Sequence, residues 1–168
     1  MTSPSRTTAR NTMEAIPPVV KLMKPGSQDS AHDVILRIRE EPVDLIEEGK
    51  KNYEYRAYTL HEEVKRIWLY EDHTGMIRLV LVIGGVKTPG QVNDPSGDGN
   101  DKFDRGEKES KFGYPIHDVL RLPYSLTRSE LLDNYDIDME DGRQYVKQKL
   151  VDVFPPASLE KIHSHTHM

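Results

Sequence analysis

The residues Gly49-Lys50-Lys51-Asn52-Tyr53-Glu54-Tyr55-Arg56 place three cations, one carboxylate and two phenols within eight positions. If the chain runs extended from Asn52 to Tyr58, alternation sets Asn52, Glu54, Arg56 and Tyr58 on one face and Tyr53, Tyr55 and Ala57 on the other. Either lysine, Lys50 or Lys51, can meet a phosphate as a compact charge, and the planar fork of Arg56 suits a phosphate or a base edge. Tyr55, Tyr58 and Trp68 offer flat faces on which a base can stack. Glu54 is a candidate for activating water, a task favoured by a carboxyl pKa raised by burial and opposed by the charges of Lys51 and Arg56. Structural explanations compete with each of these roles. Glu54 and Arg56 can form an ion pair along one strand face, Trp68 can be core, and a lysine after Gly49 can offset the negative pole of a preceding helix.

The elements that must position this motif are mostly short strands. Val34, Leu36 and Ile38 alternate with Ile35, Arg37 and Arg39, as in a strand with one well-buried face. Pro42 fits a first helical turn, Val43 and Ile46 share a face, and Gly49 suits a left-handed C-terminal cap, so a helix of about two turns precedes the motif. Val64 to Tyr70 reads as a further strand. Asp72 to Gly75 supplies a turn before Met76 to Val86, a central strand that is apolar on both faces except at Arg78. Val119 to Leu122 is a shorter strand. Thr127 and Glu130 form a capping box for a helix carrying Leu131, Leu132 and Tyr135. Tyr145 to Phe154 returns to the sheet, although Tyr145, Lys149 and Val153 also have helical spacing. The expected class is α+β, a small mixed β-barrel with two or three flanking helices.

The flanks and one internal stretch carry different composition. Residues 1–30 are rich in Ser, Thr and Pro and read as a disordered tail; Arg6 and Arg10, with no acid before Glu14, weakly resemble a transit peptide that lacks its apolar face. From about Thr88 to Phe112 the chain is rich in Asp, Gly and Lys and reads as an unstructured insertion or lid. Residues 31–156 form the domain and 157–168 a C-terminal tail. His163, His165 and His167 alternate in that tail and are read as solvated, so no metal site is assigned. His117-Asp118 lacks a nucleophile and is read as a strand end, and Gly84-Gly85 as a bulge or a close approach of backbone.

Composition bounds the rest. With 28 acidic and 23 basic residues the 168-residue chain has a formal charge of -5, so nucleic acid has to be held by a local patch. There is no cysteine, which excludes disulfide and thiolate chemistry. No apolar run approaches the roughly 20 residues of a membrane-spanning helix, so no membrane partner is expected and the protein is placed in cytoplasm or nucleus. No Gly-rich phosphate loop or dinucleotide fingerprint occurs, and no cofactor is expected.

The run Val34 to Ile38, then Pro42 to Ile46, then Gly49-Lys50-Lys51-Asn52-Tyr53-Glu54-Tyr55-Arg56 resembles the opening of the ASCH family, a PUA-like group, in which strand and helix lead into Gly-Lys-Lys-Thr-x-Glu-x-Arg. Asn52 stands where the family has Thr. The layout of the resemblance covers about Val34 to Val153. It implies a PUA-like barrel that binds RNA, single-stranded nucleic acid or a modified nucleoside, with Lys50, Lys51, Glu54, Arg56, Tyr58 and Trp68 as ligand-binding candidates. One branch of the family deacetylates acetylcytidine through Lys-x-x-Thr-x-Arg. Its lysine falls on Lys51, its threonine on Glu54 and its arginine on Arg56, so a hydrolase here would use Lys51 and Glu54 with water in place of the hydroxyl nucleophile. A nuclease using Lys51, Tyr53 or His61 and a protein-interaction barrel using the acidic insertion are further alternatives. Oligomeric state is not legible.

Overall fold

The computed structural model describes residues 24–167. The transit-like Arg6 and Arg10, and most of the stretch read as an N-terminal tail, lie outside these residues. Seven strands form one mixed, curled sheet, a half-barrel, with four short α-helices among the described residues. The strands are β1 (Asp29–Ile38), β2 (Tyr53–Arg56), β3 (Arg66–Glu71), β4 (Met76–Ile83), β5 (Phe112–Thr127), β6 (Arg143–Lys147) and β7 (Glu160–Ser164). The helices are α1 (Glu40–Glu47), α2 (Asn100–Asp104), α3 (Arg128–Tyr135) and α4 (Gln148–Val153). Sheet order is β2-β5-β4-β3-β1-β6, with β7 joined to β5. Only β1 and β3 run parallel; every other pair is antiparallel.

Apolar residues on both faces of the central strands require cover on both sides. On one face Val34, Leu36, Ile67, Leu69, Leu79 and Leu81 pack with Val43 and Ile46 of α1. On the other, Ile35, Trp68, Ile77 and Val80 pack with Leu131 of α3 and Leu150 and Val151 of α4. The expected exception on β4, Arg78, reaches Glu47 of α1 at 3.0 Å and the buried Glu71 of β3 at 2.7 Å, fastening the helix to the sheet.

Helix α1 starts two residues before Pro42, and Gly49 takes φ +78° beyond its end. A side chain at Gly49 would also strike the His163 ring, its Cβ coming within 2.8 Å of Cε1, so space as well as conformation selects glycine there. The Thr127–Glu130 capping box is complete at α3, where Leu131 is buried but Leu132 faces solvent.

Several expectations are corrected. β1 already begins at Asp29, inside the stretch assigned to the tail. The short strand at Val119–Leu122 is the middle of the 16-residue β5, whose Gly113, Pro115 and Pro123 look like breakers in sequence. Tyr145 to Phe154 is neither strand nor helix throughout: it completes β6 and then forms α4. The 88–112 stretch is structured: it contains α2, and Phe103 and Val92 pack with Tyr53 and Tyr55 of β2 in a small core of their own. Residues 157–168 are not a plain tail, because β7 pairs with β5 from Asp118 to Arg121.

Candidate functional site

The polar face of β2, the start of α1 and the 88–112 loop enclose a cleft of about 320 Å³. Lys51, Glu54, Tyr55 and Arg56 line it from the motif, Arg37 and Arg39 from the β1–α1 junction, and Asp98 and Lys108 from the loop. The alternation read from sequence is realised. Glu54, Arg56 and Tyr58 are linked on one face, and Tyr53 and Tyr55 stack on the other at 5.9 Å.

Glu54 is buried, and its Oε2 accepts from Arg56 Nε at 2.7 Å. Arg56 is held on two further sides: Nη1 donates to the Tyr58 hydroxyl at 3.3 Å and Nη2 to the Arg37 carbonyl at 3.0 Å. Burial alone would lower the Arg56 pKa, but Glu54 and the Tyr58 contact raise it, so it stays charged. The Glu54–Arg56 pair is therefore the internal ion pair foreseen as the structural alternative, and it forms one wall of the cleft. Arg37 is similarly engaged, with Nη1 2.6 Å from Asp72.

Lys51 differs. The residue is 6% exposed, and its ammonium has neither a hydrogen bond nor a carboxylate within 4.0 Å among the described residues. It lies over the Tyr55 ring, 4.8 Å from the centroid. Burial pushes its pKa below the ordinary lysine value; Glu54 and Asp98 oppose that shift while Lys108 and Arg56 add to it. Lys108 stands over the same ring at 5.2 Å.

An amide network joins the loop to the motif. Asn52 Nδ2 donates to Asp94 at 2.9 Å, and Asn100 Nδ2 donates to Asn52 Oδ1 at 2.9 Å. The Tyr55 hydroxyl donates to Asn100, and Asp98 N–H to the Lys50 carbonyl. Thus the Asn that replaces Thr in the motif anchors the loop. Asp104 ties the loop to itself by accepting from the N–H groups of Gly90, Val92 and Asn93. Burial would raise its pKa, but these three donors hold it below the usual carboxylate value.

Three sequence candidates do not contribute to the cleft. Trp68 is fully buried, and its indole N–H donates to Asp33 at 2.9 Å, so no ligand can stack on it. Lys50 points outward beside Glu48 at 3.2 Å. Tyr58 supports Arg56 and lies under the Arg143 guanidinium, 4.4 Å from its ring centroid, outside the cleft lining. Conversely, Arg37, Arg39, Asp98 and Lys108 were not named from sequence as site residues. The outward positions of Arg37 and Arg39 beside a buried strand were a usable signal; Lys108, inside a charged run, had none.

The histidines read as solvated are built into the sheet edge. His163 Nε2 meets the Glu47 carbonyl at 2.6 Å, and His167 Nε2 the Ile116 carbonyl at 2.7 Å. Among the described residues no group of three or more His, Asp or Glu is placed to hold a metal ion. No described helix is long and apolar enough to cross a membrane.

No family model and no curated protein matches the sequence. Solved structures do. The fold is similar to the crystal structure of ASCH from Zymomonas mobilis, with TM-score 0.57 and 10% identity over 76% of this chain and 96% of that one. Two mutant forms of that protein align similarly: one has TM-score 0.53 and 15% identity over 74% and 98% of the chains, and the other has 0.56 and 9% over 76% and 99%. The chain has an ASCH-like fold.

Proposed function

We propose that this ASCH-like domain is a binding module for RNA or a modified nucleotide, held in the cleft beside Lys51, Glu54 and Arg56. The observation that carries this reading is Lys51, a buried residue lining the cleft whose ammonium has no hydrogen bond and no carboxylate within 4.0 Å among the described residues. A buried charge without a partner is costly, and an anionic ligand supplies the missing one. Arg39 and Lys108 add cations to a lining that also holds Glu41, Asp72 and Asp98 and in which the cations outnumber the carboxylates by one, while the Glu54–Arg56 pair holds the wall in shape. This is the local patch that an acidic chain requires.

The test is a binding panel of short RNAs, single-stranded DNAs and free modified nucleosides including acetylcytidine, at low and physiological salt, with product analysis on the same samples. Salt-sensitive binding without product, weakened about tenfold or more by Lys51→Ala, supports the module. Silence across the panel rejects it.

One observation favours a hydrolase as the second reading: Lys51 has the lowered pKa that suits a general base. Against it, Glu54 is occupied by Arg56, which leaves it poorly disposed to activate water. Turnover of acetylcytidine that Glu54→Gln abolishes while binding persists would establish the hydrolase instead.

A further inference from the structure

The loop that closes the cleft contributes more than a wall. Lys108 projects toward Tyr55 from the far end of the loop and shares that ring with Lys51, at 5.2 and 4.8 Å from the centroid. Neither ammonium has a carboxylate within ion-pair distance or a hydrogen bond among the described residues. Space for Lys108 is made by Gly99, where a Cβ would come within 3.0 Å of Lys108 Cε and 3.2 Å of its Nζ. Gly99 also has φ +78°, a backbone conformation that disfavours any side chain there.

Two like charges directed at one ring repel each other. Lys108 accordingly helps to depress the Lys51 pKa, and only Glu54 and Asp98 work against that. What relieves the repulsion is a ligand carrying more than one negative charge at one point. A phosphodiester has a single charge, whereas a phosphomonoester carries about -1.5 to -2 near neutral pH and has three acceptor oxygens.

We infer that Lys51 and Lys108 form a two-lysine clamp for a phosphomonoester, the terminal phosphate of a nucleotide or short oligonucleotide, seated beside the Tyr55 ring. Lys108 is the selectivity residue, because it meets the second charge that an internal phosphate lacks. The nature of the group attached to that phosphate rests on the nucleic-acid reading above; the clamp itself rests on the two lysines.

Calorimetric titration of the full chain tests both parts separately. The probes are inorganic phosphate and three RNA trinucleotides of one sequence, bearing a 5′-phosphate, a 3′-phosphate or neither. At least one phosphorylated form should bind about tenfold more tightly than the hydroxyl form, and Lys108→Gln should reduce that ratio to below about twofold, its effect on the phosphorylated form exceeding its effect on the hydroxyl form. Lys108 is only half-buried, so the variant should fold, and Lys108→Arg should restore the preference. Equal affinities for all three trinucleotides, or a preference that survives Lys108→Gln, overturn the clamp and leave the nucleic-acid reading standing. Inorganic phosphate that binds as well as any trinucleotide, and does so through Lys108, supports the clamp and removes the nucleic-acid reading. Silence with every probe overturns both.

Discussion

The Tyr55 hydroxyl donates a 2.6 Å hydrogen bond to the side-chain carbonyl of Asn100, 45 positions later in the chain. That bond, with the Asn100–Asn52 bond beside it, fixes the loop against the strand that carries the cationic motif. Loop and cleft are thus one unit, and disturbing their junction should affect the site without touching its charges.

Gly97→Ala makes that disturbance. A Cβ at this position would lie 2.1 Å from Asn52 Oδ1 and 2.4 Å from Asn100 Nδ2, so both amides must move. Overpacking of this kind costs about 1–3 kcal/mol. The expected outcome is faster amide hydrogen exchange within residues 88–112, with β3 and β4 protected as before. Unchanged loop exchange would show that the network does not hold the loop.

The Glu54–Arg56 pair should be strongly coupled. Glu54 is buried and the Arg56 side chain is 16% exposed, so removing one partner leaves the other charge inside the protein. Arg56→Met and Glu54→Gln should each cost about 3 kcal/mol or more, and the double variant much less than their sum. Urea denaturation of the four proteins reads the coupling directly. Additive losses would mean that the pair behaves as two independent contacts.

Asp33 is a structural counterpart outside the cleft lining. It is fully buried and accepts from Arg66 at 2.6 and 3.0 Å, from Trp68 at 2.9 Å and from Ser30 at 2.6 Å. Asp33→Ala should destabilise the fold by about 3–5 kcal/mol, because it leaves a guanidinium and an indole N–H without their acceptor. A loss below about 1 kcal/mol in chemical denaturation would show that water replaces the carboxylate.

Lys51 should reveal itself in the pH dependence of stability. Unfolded, it keeps its proton up to the ordinary value of 10.5; folded, burial makes it release the proton at lower pH. Between these two values the unfolded chain binds more protons, so native stability rises with pH, and below the folded value the cost of the buried charge is fully present. Lys51→Met should therefore be more stable than the parent at pH 7, by on the order of 1 kcal/mol, with the margin shrinking as pH approaches 10.5. A margin that stays flat from pH 7 to 11 would contradict the shift.

The sequence revealed the parts governed by local pattern. Alternation at Val34–Leu36–Ile38 and at Glu54–Arg56, the Pro42–Gly49 helix frame and the Thr127–Glu130 box are short-range signals, and each has its counterpart in β1, β2, α1 and α3. What escaped depends on distant partners. Phe103 sits in a polar, Gly-rich run, and its packing with Val92, Tyr53 and the Tyr55 ring 4.4 Å away makes it core. β7 is mostly polar, and Ile162, its one apolar residue, is too little to mark a strand that pairs with Asp118–Arg121. Trp68 was ambiguous for the opposite reason: an aromatic residue on an apolar strand has the same pattern whether its outer face meets a ligand or, as here, α3, α4 and Asp33. Within the site, Lys51, Glu54 and Arg56 were legible from their motif, whereas Lys108 reaches the cleft only through the path of the loop.

Strand β5 also sets an order of assembly. Its first residues pair with β2, its length with β4, and Asp118–Arg121 with β7, while β1 waits for β6 on the far side of the sheet. Most of these partners are distant in sequence, so chain entropy must be lost before many of the contacts that offset it can form. During synthesis the β3–β4 hairpin can pair early, but the edge of β5 stays open until Glu160–Ser164 has emerged. Until then β5 presents an open edge at Asp118–Arg121, the condition under which a nascent chain is most exposed to aggregation. The polar, histidine-bearing β7 thus serves as the closing seam of the sheet.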